Sequence, residues 1–243
     1  MRVTSLDSPA TRHMVRSSTA GVLGAAVLAG LIAGAITSAF HVVLAEPVIE
    51  RAIEQEQQTK IAHGANSEAP IVSRTVQRRG LVIGLVIYGA VWGALFGVAY
   101  LLLESRRQLW DPRISGWLLA IVLGWTVAWF PFLKYPANLP GVGESATVAY
   151  RQLLYVGFIV LSAAGAAIAF LVHARSAKGG ARAVVILYTV YAVTIYLAMP
   201  ANPDPVRMPE SLVWTFRAIS LAGLVVFWLA LGSSFQWLAR ARA

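Results

Sequence analysis

The sequence predicts an all-α integral membrane protein of about six transmembrane helices arranged as three hairpins, and three observations carry that expectation. Apolar residues make up 58% of the 243 and charged residues only 13%, half of the roughly 25% that keeps a soluble globule in water. Six uncharged apolar runs of 17 to 25 residues follow one another along the chain, close to the ~20 residues that cross a hydrocarbon core as a helix. The last two hairpins, spans three–four and five–six, are joined by loops that repeat one another, which predicts a parallel internal repeat with its pseudo-axis along the membrane normal.

The spans read as residues 21–45, 81–103, 114–133, 153–172, 183–199 and 218–238 of one polytopic domain over 21–238. His41 is the only ionisable side chain other than tyrosine inside any of them. The first run resembles a secretory segment, with Arg2, Arg12 and Arg16 ahead of it and Val43-Leu44-Ala45 at its end. A secretory apolar region is only ~7–15 residues long, however, so a retained first helix is expected. Gly80, Gly84, Gly89, Gly93 and Gly97 line one side of the second span, and Gly21, Gly24, Gly30 and Gly34 give the first a similar face. Small residues let helix backbones approach closely in lipid, so these faces predict tight packing within the chain.

The formal charge of +9 divides unevenly between the loops. With a cytoplasmic tail over 1–20, the inner segments 104–113, 173–182 and 239–243 complete a set holding 11 Lys+Arg against 3 Asp+Glu. The outer loops 46–80, 134–152 and 200–217 hold 9 against 8. That asymmetry predicts both termini in the cytoplasm of a bacterial-type inner membrane, with Arg74, Arg78 and Arg79 as dissenters.

The repeat is read in the two later outer loops. One runs Lys134-Tyr-Pro-Ala-Asn-Leu-Pro140 and then Glu144 through Arg151; the other runs Met199-Pro-Ala-Asn-Pro-Asp-Pro205 and then Glu210 through Arg217. Both read Pro-Ala-Asn, a proline-rich turn, then Glu-Ser, four residues, an aromatic and Arg. Pro136 and Pro200 should end the third and fifth helices, because proline removes a donor from the helical ladder. Helix ends free carbonyl oxygens, which are tolerated near the membrane where they line a polar cavity. Asn138 and Asn202 place an amide beside them, and Glu144 and Glu210 should open the following helices, where the macrodipole favours a carboxylate. Arg151 and Arg217 fall two turns further on. The functional reading is an oxygen-rich vestibule for a cation; the plainer one is a pair of capped turns locked by Glu144–Arg151 and Glu210–Arg217.

The first outer loop carries Glu46, Glu50, Glu54 and Glu56, with Pro47 suited to a first helical position. Val48, Ile49, Ala52 and Ile53 form an apolar stripe, so a short amphipathic helix lying against the membrane is expected, its glutamates facing water. Among the histidines, His13 and His63 lie in polar sequence. His41 and His173 sit at opposite ends of their spans and cannot share one metal; His41 could join Glu46 and the repeat loops.

Several function classes are excluded or disfavoured. No cysteine is present, which removes thiolate sites and disulfide scaffolds. No phosphate-binding Gly-x-x-x-x-Gly-Lys-Ser/Thr, His-Glu-x-x-His or Gly-x-Ser-x-Gly occurs. The apolar runs hold no Asp, Glu, Lys or Arg for a midplane proton relay. The basic excess lies at helix ends, not along one patch, so no nucleic-acid partner is expected. The chain reads as a non-enzyme without a cofactor, in a lipid bilayer, with a homo-oligomer open.

Glu46-Pro-Val-Ile-Glu-Arg-Ala-Ile53, Pro131-Phe-Leu-Lys-Tyr-Pro-Ala-Asn-Leu-Pro140 and Trp214-Thr-Phe-Arg-Ala-Ile-Ser-Leu221 resemble the CbtA family of predicted cobalt transporter subunits, over residues 20 to 238. The resemblance implies a membrane component of cobalt uptake linked to cobalamin metabolism. It also implies a small one-span partner, CbtB, that supplies histidines. The family is associated with about five spans, against six here. Co²⁺ accepts imidazole nitrogen and carboxylate or carbonyl oxygen. The expected site, with cobalt as transported substrate, is therefore Asn138, Asn202, Glu144 and Glu210, with Glu46 and His41 as additions. Pro136, Pro200, Arg151, Arg217 and Pro47 are read as its structural frame. A non-transporting scaffold for a small partner, or a transporter of another solute such as nickel, are the alternatives.

Overall fold

The computed structural model describes residues 19–62, 72–104, 115–139, 142–175, 180–204, 206 and 208–240. The N-terminal arginines 2, 12 and 16, His13, His63, Pro140, Pro205, Arg207 and the whole of 105–114 lie outside these residues. Every regular element described is helical.

Helix α1 (Thr19–Leu44) is followed directly by α2 (Glu46–Ala62), and α3 spans Arg74–Glu104. The third apolar run is composite: α4 (Ser115–Gly124), a π-helical turn at Trp125–Trp129, and α5 (Phe130–Lys134). A 3-10 turn at Ser145–Thr147 leads into α6 (Val148–Arg175), then α7 (Ala181–Ala198) and α8 (Glu210–Arg240). Six helical stretches are long and apolar enough to cross a membrane: Thr19–Leu44, Arg74–Glu104, Gly116–Lys134, Val148–Arg175, Ala181–Ala198 and Glu210–Arg240. The six expected spans are therefore present, several of them extended by a polar turn at one end.

The glycines of α1 and α3 meet face to face. A Cβ built on Gly30 would lie 2.0 Å from the carbonyl oxygen of Gly89, and one on Gly93 2.4 Å from that of Ala26. No side chain fits there, so the two backbones touch directly, the close approach that small residues permit in lipid. Gly24, Gly80 and Gly84 of the same stripes meet nothing within 4 Å. The packing face is thus narrower than the stripe.

On this α1–α3 pair sits the main core. Ala25, Ala26, Ala29 and Ala33 of α1, Phe96 of α3, Leu119 and Ala120 of α4, and Phe227, Trp228, Leu231 and Phe235 of α8 are all buried. Phe96 and Phe235 pack edge to face at 5.1 Å, as Trp92 and Trp228 do at 5.4 Å. A second cluster joins Phe130 to Phe158 of α6 and to Ala192 and Ile195 of α7. The outward faces of α6 and α7 stay apolar and exposed, Leu153 and Leu197 among them, as lipid contact requires.

The π-helical turn ends just before Pro131. The Phe130 N–H bonds to the Trp125 carbonyl, five residues back, so the ladder has already shifted where the proline would interrupt it. Such widened turns are a recognised way for a helix to absorb a local insertion or kink.

Helix α2 differs from its expected setting. Its stripe does not simply lie on a membrane: Val48 and Ala52 are buried with Leu139 and Val213, in a small core shared with Leu212, Phe216 and Ile219. Glu46 does not face water either. Its side chain is 7% exposed and its Oε2 lies 2.9 Å from both Arg74 Nη2 and Arg78 Nε. Arg78 also pairs with Glu50. Two of the three arginines that dissented from the charge asymmetry are therefore neutralised within the fold. A buried carboxylate retains its charge only when paired and hydrogen-bonded, and α3 supplies both partners from one helical face.

Candidate functional site

The chain end of α5 and that of α7 are built alike. Helix α5 stops at Lys134 and α7 at Ala198, equivalent positions ahead of Pro136 and Pro200. Tyr135 leaves the helical region at φ −127°, ψ 76° and Met199 at φ −72°, ψ 137°, as the residue before a proline must. Each still closes the last turn: Tyr135 N–H bonds to the Pro131 carbonyl at 2.9 Å and Met199 N–H to that of Ile195 at 3.1 Å. Both prolines thus end their helices as expected.

The two loops then bind one another. The Tyr135 hydroxyl donates to the Pro200 carbonyl at 2.7 Å, and Tyr196 donates to the freed Leu133 carbonyl at 3.3 Å. Asp204 is the hub. Its side chain is 3% exposed, and it accepts hydrogen bonds from the Glu144 N–H at 3.0 Å and the Thr147 hydroxyl at 2.8 Å. Arg151 Nε lies 3.0 Å from Asp204 Oδ2. Across the junction, Arg217 Nη2 donates to Asn138 Oδ1 at 3.4 Å, while its guanidinium lies 5.4 Å from the Trp214 ring centre. Each arginine therefore reaches into the other hairpin's loop.

This corrects the expected pairs. Arg151 meets Glu144 only through that residue's backbone carbonyl, at 3.3 Å, and its carboxylate partner is Asp204. Arg217 meets Asn138, not Glu210. Glu210 does open α8, whereas Glu144 precedes a 3-10 turn and α6 begins four residues later. Both glutamates are exposed.

Between the loops and α6 lies an open cavity of about 430 Å³. Its wall includes Pro136, Ala137, Asn138 and Asn202 from the loops, and Arg151, Gln152 and Tyr155 from α6. The two sequence-related asparagines thus share one cavity. Glu46, Glu144, Glu210 and His41 do not line it.

The polarity of the wall follows from what each amide already does. Asn138 Oδ1 accepts from Arg217, and Asn202 Oδ1 accepts from the Asp204 N–H at 3.1 Å. Each amide keeps its NH₂ group, which only donates. Arg151 is the charged residue of the wall, with Asp204 standing outside it. A divalent ion 4 Å from a guanidinium is repelled by about 8 kcal/mol at an effective dielectric of ~20, before the opposing Asp204 charge is counted. Burial raises the Tyr135 phenol above its ordinary pKa, with the neighbouring Tyr150 adding to the effect.

His41 is occupied elsewhere. Its Nδ1 lies 3.0 Å from the Thr37 carbonyl, and its ring seats on α8, where a Cβ on Gly223 would fall 2.1 Å from Cε1. His173 is in the last turn of α6, at the opposite end of the bundle. Among the described residues, no three His, Asp or Glu side chains come together as a metal-holding group.

The sequence reading missed Asp204, Thr147 and Tyr135 as members of the site. A signal for Asp204 exists: the second loop has Asp where the aligned position of the first has Pro140.

Six membrane-length helices and a pair of interlocked Pro-Ala-Asn loops frame one comparison. Residues 20–240 match the family model described as "Probable cobalt transporter subunit (CbtA)". The chain belongs to the CbtA family. The match runs through nearly the whole chain, so all six CbtA spans and both loops of this protein fall within it. No curated protein and no solved structure matches the chain. As a CbtA member the protein is a multi-pass membrane component of a cobalt transport system, and its described residues hold six membrane-length helices where the family resemblance implies about five.

Proposed function

We propose that this chain is the membrane subunit of a divalent metal uptake system, cobalt being the substrate, and that the substrate enters through the cavity between the paired loops. The observation that carries this reading is the convergence of Asn138 and Asn202 on one open cavity. Family membership supplies cobalt; the geometry supplies an open chamber between the two repeat loops and α6, its largely apolar wall carrying a few polar groups, Asn138, Asn202, Arg151 and Gln152 among them. The chamber faces outward on the charge asymmetry of the loops, with both termini in the cytoplasm of an inner membrane. Neutralisation of Arg74 and Arg78 by Glu46 and Glu50 supports that orientation.

The chain also works with a partner on this reading. The family model describes a transporter subunit, and a small one-span subunit bearing histidines, CbtB-like, is the partner proposed. Glu46, Glu144, Glu210 and His41, the other candidate ligands, stand outside the chamber wall.

Labelled cobalt uptake in cells expressing the Asn138→Ala, Asn202→Ala double variant tests the assignment. Uptake should fall sharply at normal membrane levels of the protein; unchanged uptake would sink it.

A further inference from the structure

Taking the cavity as the entry site, as proposed above, we infer that it receives the metal as an anionic metal–carboxylate complex and not as the bare or hydrated dication.

The polarity of the wall is the first argument. Arg151 is the charged group facing the cavity, and its counter-charge Asp204 lies behind it. Each asparagine carbonyl oxygen already accepts one hydrogen bond, from Arg217 and from the Asp204 N–H, while both NH₂ groups keep their donors for a ligand. Arg217, behind Asn138, has no carboxylate within ion-pair distance among the described residues, and its Nε is buried without a hydrogen-bond partner. Among the described residues, Arg151 is the one charged side chain in the cavity wall, so the charge that faces a ligand there is positive. Planar guanidinium donors match carboxylate oxygens in geometry as well as charge.

Size is the second. A hydrated dication with six waters of ~30 Å³ each fills about 180 Å³, whereas the cavity holds about 430 Å³. The third argument is the donor inventory. No trio of His, Asp or Glu is gathered among the described residues, so nothing there replaces the ion's inner shell. A complex that carries its own inner-shell oxygens needs none. It would be recognised from outside, by donors aimed at its carboxylates.

Equilibrium binding of labelled cobalt to the purified full-length protein tests this, in chelator-free buffer and with citrate in excess, alongside labelled citrate alone. Cobalt–citrate should bind about tenfold or more tightly than the aquo ion, the size expected of one or two charge-assisted hydrogen bonds. Arg151→Gln should erase that preference and Arg151→Lys retain part of it. Because Arg151→Gln strips Asp204 of its partner, Arg151→Gln with Asp204→Asn removes both charges together. Asn138→Leu with Asn202→Leu retains both Arg151 and Asp204 and should also abolish citrate-dependent binding. Aquo cobalt bound as tightly as the complex, or a preference that survives loss of Arg151, would overturn the inference. If uptake needs both asparagines but the aquo ion is what binds, the inference fails and the entry site stands. If uptake of either form ignores the asparagines, the entry site itself fails.

Discussion

Arg151 of one hairpin is held by Asp204 of the other, Nε to Oδ2 at 3.0 Å, with the carboxylate 3% exposed. The two loops are thereby one structural unit. Asp204 also anchors the Glu144 N–H and the Thr147 hydroxyl, so it fixes where the 3-10 turn begins and, through it, the first turn of α6.

Removing that carboxylate should therefore be costly. Asp204→Ala is expected to destabilise the protein by about 3 kcal/mol, the scale of breaking a buried ion pair from one side. Glu144→Gln, whose exposed side chain contributes no such bond, should stay within ~0.5 kcal/mol. Thermal unfolding in detergent reads both. Equal effects would return Arg151 to Glu144.

The α1–α3 crossing should separate glycines that look equivalent in sequence. Gly30→Ala drives a methyl against the Gly89 carbonyl, with backbone on both sides, and should cost about 1–3 kcal/mol as overpacking. Gly84→Ala meets open space and should be neutral or mildly stabilising, since alanine is the better helix former. Melting temperatures of the two variants decide this.

His41 and Gly223 should behave as a packed pair. Gly223→Ala forces the imidazole aside, since the new methyl would sit 2.1 Å from Cε1. His41→Ala should then rescue much of the loss, a coupling of about 1 kcal/mol or more in a double-mutant cycle. Strict additivity would show that the ring does not rest on α8.

Much of this architecture was legible beforehand because it depends on local chemistry. Uncharged runs of bilayer length marked the spans, and Pro136 and Pro200 marked helix ends that fall at Lys134 and Ala198. Gly30, Gly89 and Gly93 announced a close crossing. What escaped was pairing across the assembled loops. Arg151 finds Asp204 at a separation of 53 residues, a choice that loop docking makes and no spacing rule encodes. Glu46 was expected in water because α2 was read alone; packing Val48 and Ala52 onto Leu139 and Val213 turns it toward Arg74 and Arg78. The asparagine oxygens looked available for the same reason. Their partners, Arg217 and the Asp204 N–H, exist only once the fold has formed. The π-helical turn had a cue in Pro131, which lies inside an apolar run, but proline alone does not specify how the ladder adapts.

The most direct test of the entry site uses the absence of cysteine from the chain. Ala137→Cys places a single thiol in the cavity wall, and a bulky membrane-impermeant thiol reagent is added to intact cells before labelled cobalt uptake is measured. The account predicts that the reagent reaches the thiol from outside, that uptake then collapses, and that cobalt with citrate slows the labelling. Labelling only after the cells are permeabilised, or full uptake by labelled protein, would contradict it.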